Sequence, residues 1–221
     1  EKSNMKCVAI CIETRPDYAK ERHAKEMLRL GATRVELGVQ TTSDKSLKAI
    51  NRGHSVKDSI EATRTLKDLG FKVSYHLMLG LPEIEDELER LKEIFENEEF
   101  RPDMLKIYPC MVLKGTKLYN KWKYGNFKPI KTKQAAKLIA HFKEFIPEYV
   151  RISRVQRDIP THMTEAGVDR TNLRQYVFKE LEKLGIECRC IRCREIGRAK
   201  KEVDIDDYEI FVTSYGASQG N

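Results

Sequence analysis

Three cysteines lie within six residues near the end of the chain, in the stretch "CRCIRCREIG". Cys188, Cys190 and Cys193 form a C-x-C-x-x-C pattern with arginines between them, and they are half of the six cysteines in the sequence. A disulfide within so short a loop would be strained and would leave one thiol unpaired. The spacing instead suits three thiolates around Zn²⁺, and the arginines favour the thiolate form. The pattern predicts a structural zinc loop, with three free thiols as the alternative.

A tetrahedral zinc site normally has a fourth ligand, which this loop does not supply. Cys110, at the end of a predicted strand, is the first candidate; His141, His162 and a water molecule are the alternatives. Six unevenly spaced cysteines indicate a reducing compartment rather than a secreted disulfide scaffold.

A second set of candidates consists of polar residues at the ends of otherwise apolar segments. Glu13 and Arg15 follow the first segment, Gln40 ends the second, and His76 lies inside the third. Buried charge is costly unless it is paired or bound to a ligand. These residues predict a ligand pocket. The alternatives are a Glu13–Arg15 ion pair, a Gln40 that caps the next turn, and a core histidine.

Positive charge is concentrated in one part of the chain. Residues 104–143 contain ten lysines and no Asp or Glu, whereas the whole chain carries a net charge of +7. Aromatic residues such as Trp122 alternate with the lysines. Lysines neutralise phosphates and aromatic rings stack on unpaired bases, so the segment predicts an RNA surface. The alternative is a solvated helix whose aromatic residues face the core.

The predicted RNA contacts are Lys114, Lys117, Lys121, Lys123, Lys128, Lys131, Arg154 and Arg157, with Arg192 and Arg194 in a second basic patch beside the cysteines.

Apolar, β-branched segments alternate with amphipathic helical patterns. The predicted strands are 7–13, 34–40, 72–80, 104–112 and 150–156, with Cys7 and Cys11 packed in the core, and a further strand is predicted at the start of 207–221. Such alternation predicts an α/β fold of parallel βαβ units, whose ligand site lies at the carboxyl ends of the strands. No apolar run approaches the ~18 residues of a membrane span, and no signal peptide is recognisable. We therefore expect a cytoplasmic protein.

Eight motifs, in order, resemble the family of Elongator catalytic subunits in its archaeal or bacterial form. They are IETRPDY, ELGVQT, NRGHSV, GFKVSYHLMLGLP, FRPDMLKIYP, GTKLYNKW, RVQRDIP and ECRCIRCREIG. That family modifies the wobble uridine of tRNA. The resemblance implies a partial TIM-like (β/α) radical S-adenosylmethionine (SAM) barrel over residues 1–160. A helix and a zinc-binding basic linker would follow over 161–201, and the start of an acetyltransferase domain over 202–221.

The resemblance also implies four cofactors: SAM, a [4Fe–4S] cluster, acetyl-CoA and Zn²⁺. The SAM pocket would be faced by Glu13, Arg15, Gln40 and His76, and Lys6 matches a lysine that the family associates with acetyl-CoA. The family's three cluster cysteines come before the position of Lys6 and are not in this sequence. We therefore expect the cluster, and most of the acetyl-CoA, to be held outside this chain, which alone would be inactive and to which we assign no catalytic residue.

The implied activity is an acyltransferase reaction that forms a 5-carboxymethyl group on wobble uridine from acetyl-CoA by SAM radical chemistry. A radical SAM enzyme with a small-molecule substrate is the alternative, since oxygen-independent coproporphyrinogen oxidases share GVQ and GLP-type motifs. A non-catalytic RNA-binding module is a third hypothesis. A homodimer and a self-contained enzyme both remain open.

Overall fold

Five parallel strands form the central sheet of the protein, whose computed structural model describes residues 7–157, 159–160, 163–199 and 208–218. Lys6 and His162 lie outside the described residues. The strands are β1 (Cys11–Thr14), β2 (Arg34–Gln40), β3 (Lys72–Leu79), β4 (Met104–Pro109) and β6 (Arg151–Val155), in the spatial order β1-β2-β3-β4-β6. Each strand lies beside the one before it in the sheet, as in a (β/α) barrel. The α/β expectation is confirmed.

Helices connect the parallel strands or follow the last of them. They are α1 (Glu21–Arg29), α2 (Asp44–Ala49), α3 (Val56–Asp68), α4 (Glu87–Glu96), α5 (Lys117–Lys123), α6 (Thr132–Glu144), α7 (Leu173–Leu184), α8 (Ile191–Arg194) and α9 (Ile196–Ala199). A short antiparallel pair, β5 (Val112–Leu113) and β7 (Thr164–Ala166), lies outside the main sheet. The predicted strand 104–112 is therefore two strands, β4 and β5. None of the helices described is both long and apolar enough to cross a membrane.

The two faces of the sheet differ in polarity. Val35, Leu37, Tyr75 and Leu77 are fully buried and belong to the apolar core. Because successive side chains of a strand point to opposite faces, the residues between them, such as Glu36, lie on the other face. That second face is polar, and it carries the candidate site.

The first strand differs from its prediction. It spans only Cys11–Thr14, and both Cys7 and Cys11 are exposed rather than packed in the core. Within the described residues β1 pairs only with β2. It is therefore an edge strand, and its side chains are less covered than those of β2 and β3, which have neighbours on both sides.

The last part of the chain returns to the amino ends of the strands. The backbone N–H of Ile191 donates to the carbonyl of Val150, just before β6, at 3.0 Å. The ring of Tyr215 stacks on Tyr149, with centroids 3.7 Å apart. The strand predicted at the start of 207–221 is wrong for the described residues 208–218, which contain only an isolated bridge residue at Ala217.

Candidate functional site

Charged side chains from four neighbouring strands meet on the polar face of the sheet. Nε2 of His76 lies 2.7 Å from Oε2 of Glu36, and Nδ1 of His76 lies 3.3 Å from Oε1 of Glu13. Nζ of Lys106 donates to the same Glu36 oxygen. Both nitrogens of the imidazole therefore have a carboxylate partner. His76 is buried but belongs to a charged cluster, not to the apolar core that was the alternative prediction.

Strand register accounts for this arrangement. In the parallel ladders Glu13 is the partner of Glu36, and His76 is the partner of Lys106. Burial acts to raise the pKa of Glu36, but hydrogen bonds from Lys106 and His76 outweigh it and hold that pKa below its ordinary value. Glu36 is therefore a paired carboxylate at 5% exposure.

Two further residues extend the polar face. The ring of Tyr108 meets the imidazole of His76 edge-on, with centroids 5.6 Å apart, and burial raises the pKa of this tyrosine. Arg154, which the sequence predicts as an RNA contact, is the ladder partner of Lys106. It therefore lies in β6 on the polar face, away from the helix that carries most of the predicted RNA contacts.

The carboxyl end of β2 has an unusual backbone. Gln40 has a φ of +70° and is 8% exposed, and its Oε1 has no hydrogen-bond partner among the described residues. A non-glycine residue at positive φ is uncommon, and an unsatisfied buried acceptor is costly. Gln40 therefore has a strained backbone and an unpaired amide oxygen at the edge where a (β/α) barrel binds its ligand.

Arg15 lies at the end of β1. Its guanidinium forms two bonds to the carboxylate of Asp17, at 2.9 and 2.5 Å, and stacks over the ring of Tyr18. The alternative Glu13–Arg15 ion pair is therefore wrong, because Glu13 faces His76 instead.

Glu36, Lys106 and Tyr108 are site residues that the sequence analysis missed. Glu36 lies within the apolar run RVELGVQ and Lys106 within MLKIYP. The signal that points to both is a single charged residue inside a strand that is otherwise apolar.

The three cysteines of the C-x-C-x-x-C pattern converge. Their sulfur atoms all lie within 4.8 Å of one another, and Cys188 and Cys190 are buried. Tetrahedral zinc with Zn–S bonds of about 2.3 Å places its sulfurs about 3.8 Å apart, so the group has the right size. Hydrogen bonds from Cys188 and Cys193 lower the pKa of Cys190, and Nζ of the buried Lys143 lies 3.6 Å from the sulfur of Cys193.

The first candidate for a fourth zinc ligand is wrong. Cys110 follows the carboxyl end of β4, whereas the cysteine loop is bonded to Val150 at the amino end of β6. Five residues of strand separate these edges by about 17 Å. Within the described residues, neither Cys110 nor His141 belongs to the three-sulfur group. Burial raises the pKa of Cys110 to about 11, as suits an inert core thiol.

The part of the lysine-rich segment around α5 lies beside the carboxyl ends of β3 and β4, because Lys117 and Lys121 line one cavity with Met78 and Tyr108. Helix α5 has no buried residue, and Tyr124 is 75% exposed. No aromatic residue of this helix is fully buried, although Tyr119 and Trp122 are half-buried. The exposed lysines of the prediction are Lys114, Lys117, Lys121, Lys123, Lys128 and Lys131, and Arg157 is also exposed.

A cavity of about 520 Å³ joins this segment to the polar face. Met78 and Tyr108, from β3 and β4, line one side of it. Lys117 and Lys121 of α5 line the other side, together with Arg157.

The second basic patch is separate from the first. Arg194 donates to the backbone carbonyls of Arg189 and Glu148, both at 2.7 Å, beside the cysteine loop. Arg192 lies in the same short helix. This patch lies at the amino ends of the strands, so the fold does not bring it together with the lysines of α5.

Two family profiles match most of the chain. The profile of the radical SAM superfamily matches residues 1–95, and that of the radical SAM C-terminal domain matches residues 102–183. The chain belongs to the radical SAM superfamily. The parallel sheet with a polar face at its strand ends is the fold expected of this superfamily's barrel.

Curated relatives and a solved structure agree with this assignment. The chain is 50% identical over its whole length to the "tRNA uridine(34) acetyltransferase" of Methanocaldococcus jannaschii, of which it covers 42%. It is 42% identical to the human "Elongator complex protein 3" over 95% of the chain and 39% of that relative. A structure of Methanocaldococcus infernus Elp3 with residues 1–46 deleted superposes with a TM-score of 0.92 at 50% identity, over 98% of this chain and 52% of that one. The chain thus spans about two-fifths of the length of the curated relatives.

Membership of the radical SAM superfamily supports SAM and a [4Fe–4S] cluster as cofactors. For SAM, the unpaired amide oxygen of Gln40 and the 64% exposed carboxylate of Glu13 are suitable ligands at the strand ends. For the cluster, the described residues do not fit. The one group of three cysteines that they contain lies at the opposite ends of the strands from this site.

Proposed function

We propose that this chain contributes a SAM pocket and an RNA surface to an enzyme that forms the 5-carboxymethyl group on the wobble uridine of tRNA from acetyl-CoA. The relatives whose names specify tRNA uridine 34 match the chain over its whole length, which favours a tRNA substrate over a small molecule. The proposed class is an acyltransferase of the radical SAM type. A tRNA substrate implies that it acts in the cytoplasm.

The observation that carries this proposal is the cavity between the polar face and α5. Tyr108 on its inner wall contacts His76, and Lys117 and Lys121 on its outer wall are exposed cations. A nucleotide whose phosphates contact these lysines can direct its base toward the polar face. Such a cavity thus connects phosphate binding with chemistry at the strand ends.

The residues of the polar face are proposed to hold and orient SAM. SAM, when bound with a reduced cluster, supplies a radical that abstracts hydrogen. The amide oxygen Oε1 of Gln40 has no hydrogen-bond partner among the described residues and is proposed to hydrogen-bond the cofactor, while Glu13 offers a carboxylate to its ammonium group. His76 and Arg15 complete the proposed pocket, with His76 held in place by Glu36. Lys6, which is proposed to contact acetyl-CoA, lies outside the described residues.

The three cysteines are proposed to bind zinc with a structural role. Their sulfur spacing suits the ion, and the ammonium group of Lys143 offsets part of the negative charge of three thiolates. The loop lies against the start of β6, so a bound zinc would brace the segment that follows the barrel. It lies at the opposite ends of the strands from the proposed SAM pocket, and we propose no catalytic role for it.

The SAM pocket is tested by equilibrium dialysis of SAM against the anaerobically reconstituted protein. We expect Gln40→Leu to weaken binding about tenfold, the order lost with one hydrogen bond to a charged ligand. Gln175→Leu, on the exposed surface of α7, is the matched control and should bind as wild type. Equal affinity of the two variants would contradict the proposed pocket.

A further inference from the structure

A second cavity lies beside α5 and has no role in the site described above. Its volume is about 1010 Å³, and three half-buried aromatic rings line it, those of Trp122, Phe127 and Tyr176. Lys128, Lys131, Lys133 and Arg170 also line it. The combination of ring faces and cations in one cavity is what single-stranded nucleic acid requires, because the rings stack on bases while the cations contact phosphates.

The far wall of this cavity is tied to the start of α6. Oγ1 of Thr132 donates to Oδ1 of Asp169 at 2.5 Å, and the backbone N–H of Asp169 donates back to that hydroxyl at 3.2 Å. Gly167 has a φ of +121°, and a Cβ there would lie 3.2 Å from the carbonyl oxygen of Cys110. The loop that carries Arg170 is therefore held closely against the barrel, so the cavity is preformed.

The charge of the lining favours an anion. Asp169 is the one acidic residue among the lining residues, against four cations, and its carboxylate is engaged by Thr132. The hydrogen bond from Thr132 lowers the pKa of Asp169, so the carboxylate stays ionised at neutral pH and keeps this bond. The lining therefore has a net positive charge.

Helix α5 separates this cavity from the one at the strand ends. Lys117, Leu118 and Lys121 line the cavity at the strand ends, whereas Trp122 and Gly125 line the second cavity. Two unpaired nucleotides of one RNA strand can therefore lie on opposite sides of the same short helix.

We propose that the second cavity binds an unpaired RNA nucleotide by stacking its base against Trp122 or Phe127, while the first cavity takes the nucleotide to be modified. The inference rests on the proposed function, since it assigns a second subsite to the same RNA substrate. It predicts that the enzyme requires an unpaired segment and not a duplex, because paired bases cannot stack in a protein cavity.

The test uses the fluorescence of Trp122, which is the one tryptophan in this 221-residue chain. Emission from tryptophans elsewhere in the complete protein is removed by subtracting the emission spectrum of a Trp122→Phe variant. A short oligouridylate is titrated in, and its duplex with oligoadenylate is the control ligand. We expect saturable quenching by the single strand and none by the duplex. Binding is measured in parallel by anisotropy of the labelled RNA.

Pairs of variants inside and outside the second cavity test whether the RNA binds there. Phe127→Ala should weaken oligouridylate binding about tenfold, the order of one base–aromatic stack, whereas the 75% exposed Tyr124 is outside the cavity and Tyr124→Ala should bind as wild type. Phe127→Leu keeps an apolar side chain without a ring, and should fold and still bind weakly. Lys128→Gln should weaken binding more than Lys123→Gln, although both variants lose one exposed charge.

Failure of the nucleotide cavity and failure of the proposed function give different results. Anisotropy could show RNA binding that does not quench Trp122, with equal affinities for Phe127→Ala and Tyr124→Ala. That result would overturn the nucleotide cavity but leave the proposed RNA surface intact. If no RNA binds, the proposed function fails with it. If acetyl-CoA, which also carries a nucleotide, quenches Trp122 and displaces oligouridylate, the cavity is a coenzyme site and the RNA assignment is overturned.

Discussion

The imidazole Nε2 of His76 lies 2.7 Å from Oε2 of Glu36, and the ammonium group of Lys106 donates to the same oxygen. One buried carboxylate thus holds two neighbouring side chains in fixed positions. The second imidazole nitrogen faces Glu13, so the two carboxylates together set the ring orientation at the centre of the polar face.

This arrangement predicts a pH dependence of stability. The folded-state pKa of Glu36 lies below its ordinary value of 4.5, so its ionised form contributes stability above that value and the contribution is lost as the pH falls through the folded pKa. We expect Glu36→Gln to have a lower free energy of unfolding than wild type at neutral pH. In acid, the difference in unfolding free energy between the two proteins should become smaller. Denaturant unfolding followed by circular dichroism, from neutral pH to well below 4.5, measures this.

The control for Glu36 is the exposed Glu182, on α7. Glu182→Gln should follow the wild-type curve throughout. If the curves of Glu36→Gln and wild type instead run parallel at all pH values, the carboxylate does not gain its stability from Lys106 and His76.

Metal analysis tests the cysteine loop. We expect the purified protein to carry one zinc per chain, and Cys193→Ser to lose most of it because two thiolates hold the ion far less tightly than three. Cys7→Ser changes an exposed cysteine outside the group and should keep the zinc. Full zinc content in Cys193→Ser, or no zinc in the wild type, would refute the assignment.

Gly70, just before β3, and Gly80, just after it, allow the cost of backbone strain to be distinguished from the cost of steric crowding. Gly80 has a φ of +69°, and a Cβ there would lie 2.7 Å from Cβ of Ile130, whereas Gly70 has a φ of +78° and open space around it. Gly70→Ala should cost about 1 kcal/mol of unfolding free energy from the left-handed backbone. Gly80→Ala should cost a further 1–3 kcal/mol or so, the cost typical of overpacking. Thermal unfolding of the two variants measures these losses of stability. Equal losses would show that Ile130 moves away from the added Cβ at little cost.

Much of the barrel could be predicted from the sequence because its signals are local. The pattern SVKDSIEATRTLKDLG has a capping Ser55, an apolar stripe and a terminal Gly70, and the structure has a capping box at Ser55 and Asp58 and a left-handed Gly70. Strands β2 and β3 are apolar over most of their length, and both are central strands.

Properties that depend on the neighbours of a strand could not be predicted in this way. Cys11 has the pattern of a buried residue, but β1 is an edge strand and Cys11 is exposed. Cys110 has the residue type of a zinc ligand and ends a strand, but the strand direction places it at the opposite edge from the cysteine loop. The Glu36–His76–Lys106 contact depends on the register of three strands, which no single segment specifies.

The exposed lysines of α5 are proposed to present tRNA to the polar face. The most direct measurement is acetyl-CoA hydrolysis by the complete gene product, with and without tRNA. A charge-reversed variant changes Lys117, Lys121 and Lys123 to Glu, and its control makes the same change at three exposed lysines elsewhere, Lys57, Lys72 and Lys179.

We predict that tRNA stimulates hydrolysis in the wild type and in the control, and that the stimulation is lost when the α5 lysines are reversed while the rate without tRNA is unchanged. Absence of tRNA stimulation in the wild type, or equal loss in both variants, would show that the α5 lysines do not present tRNA to the polar face.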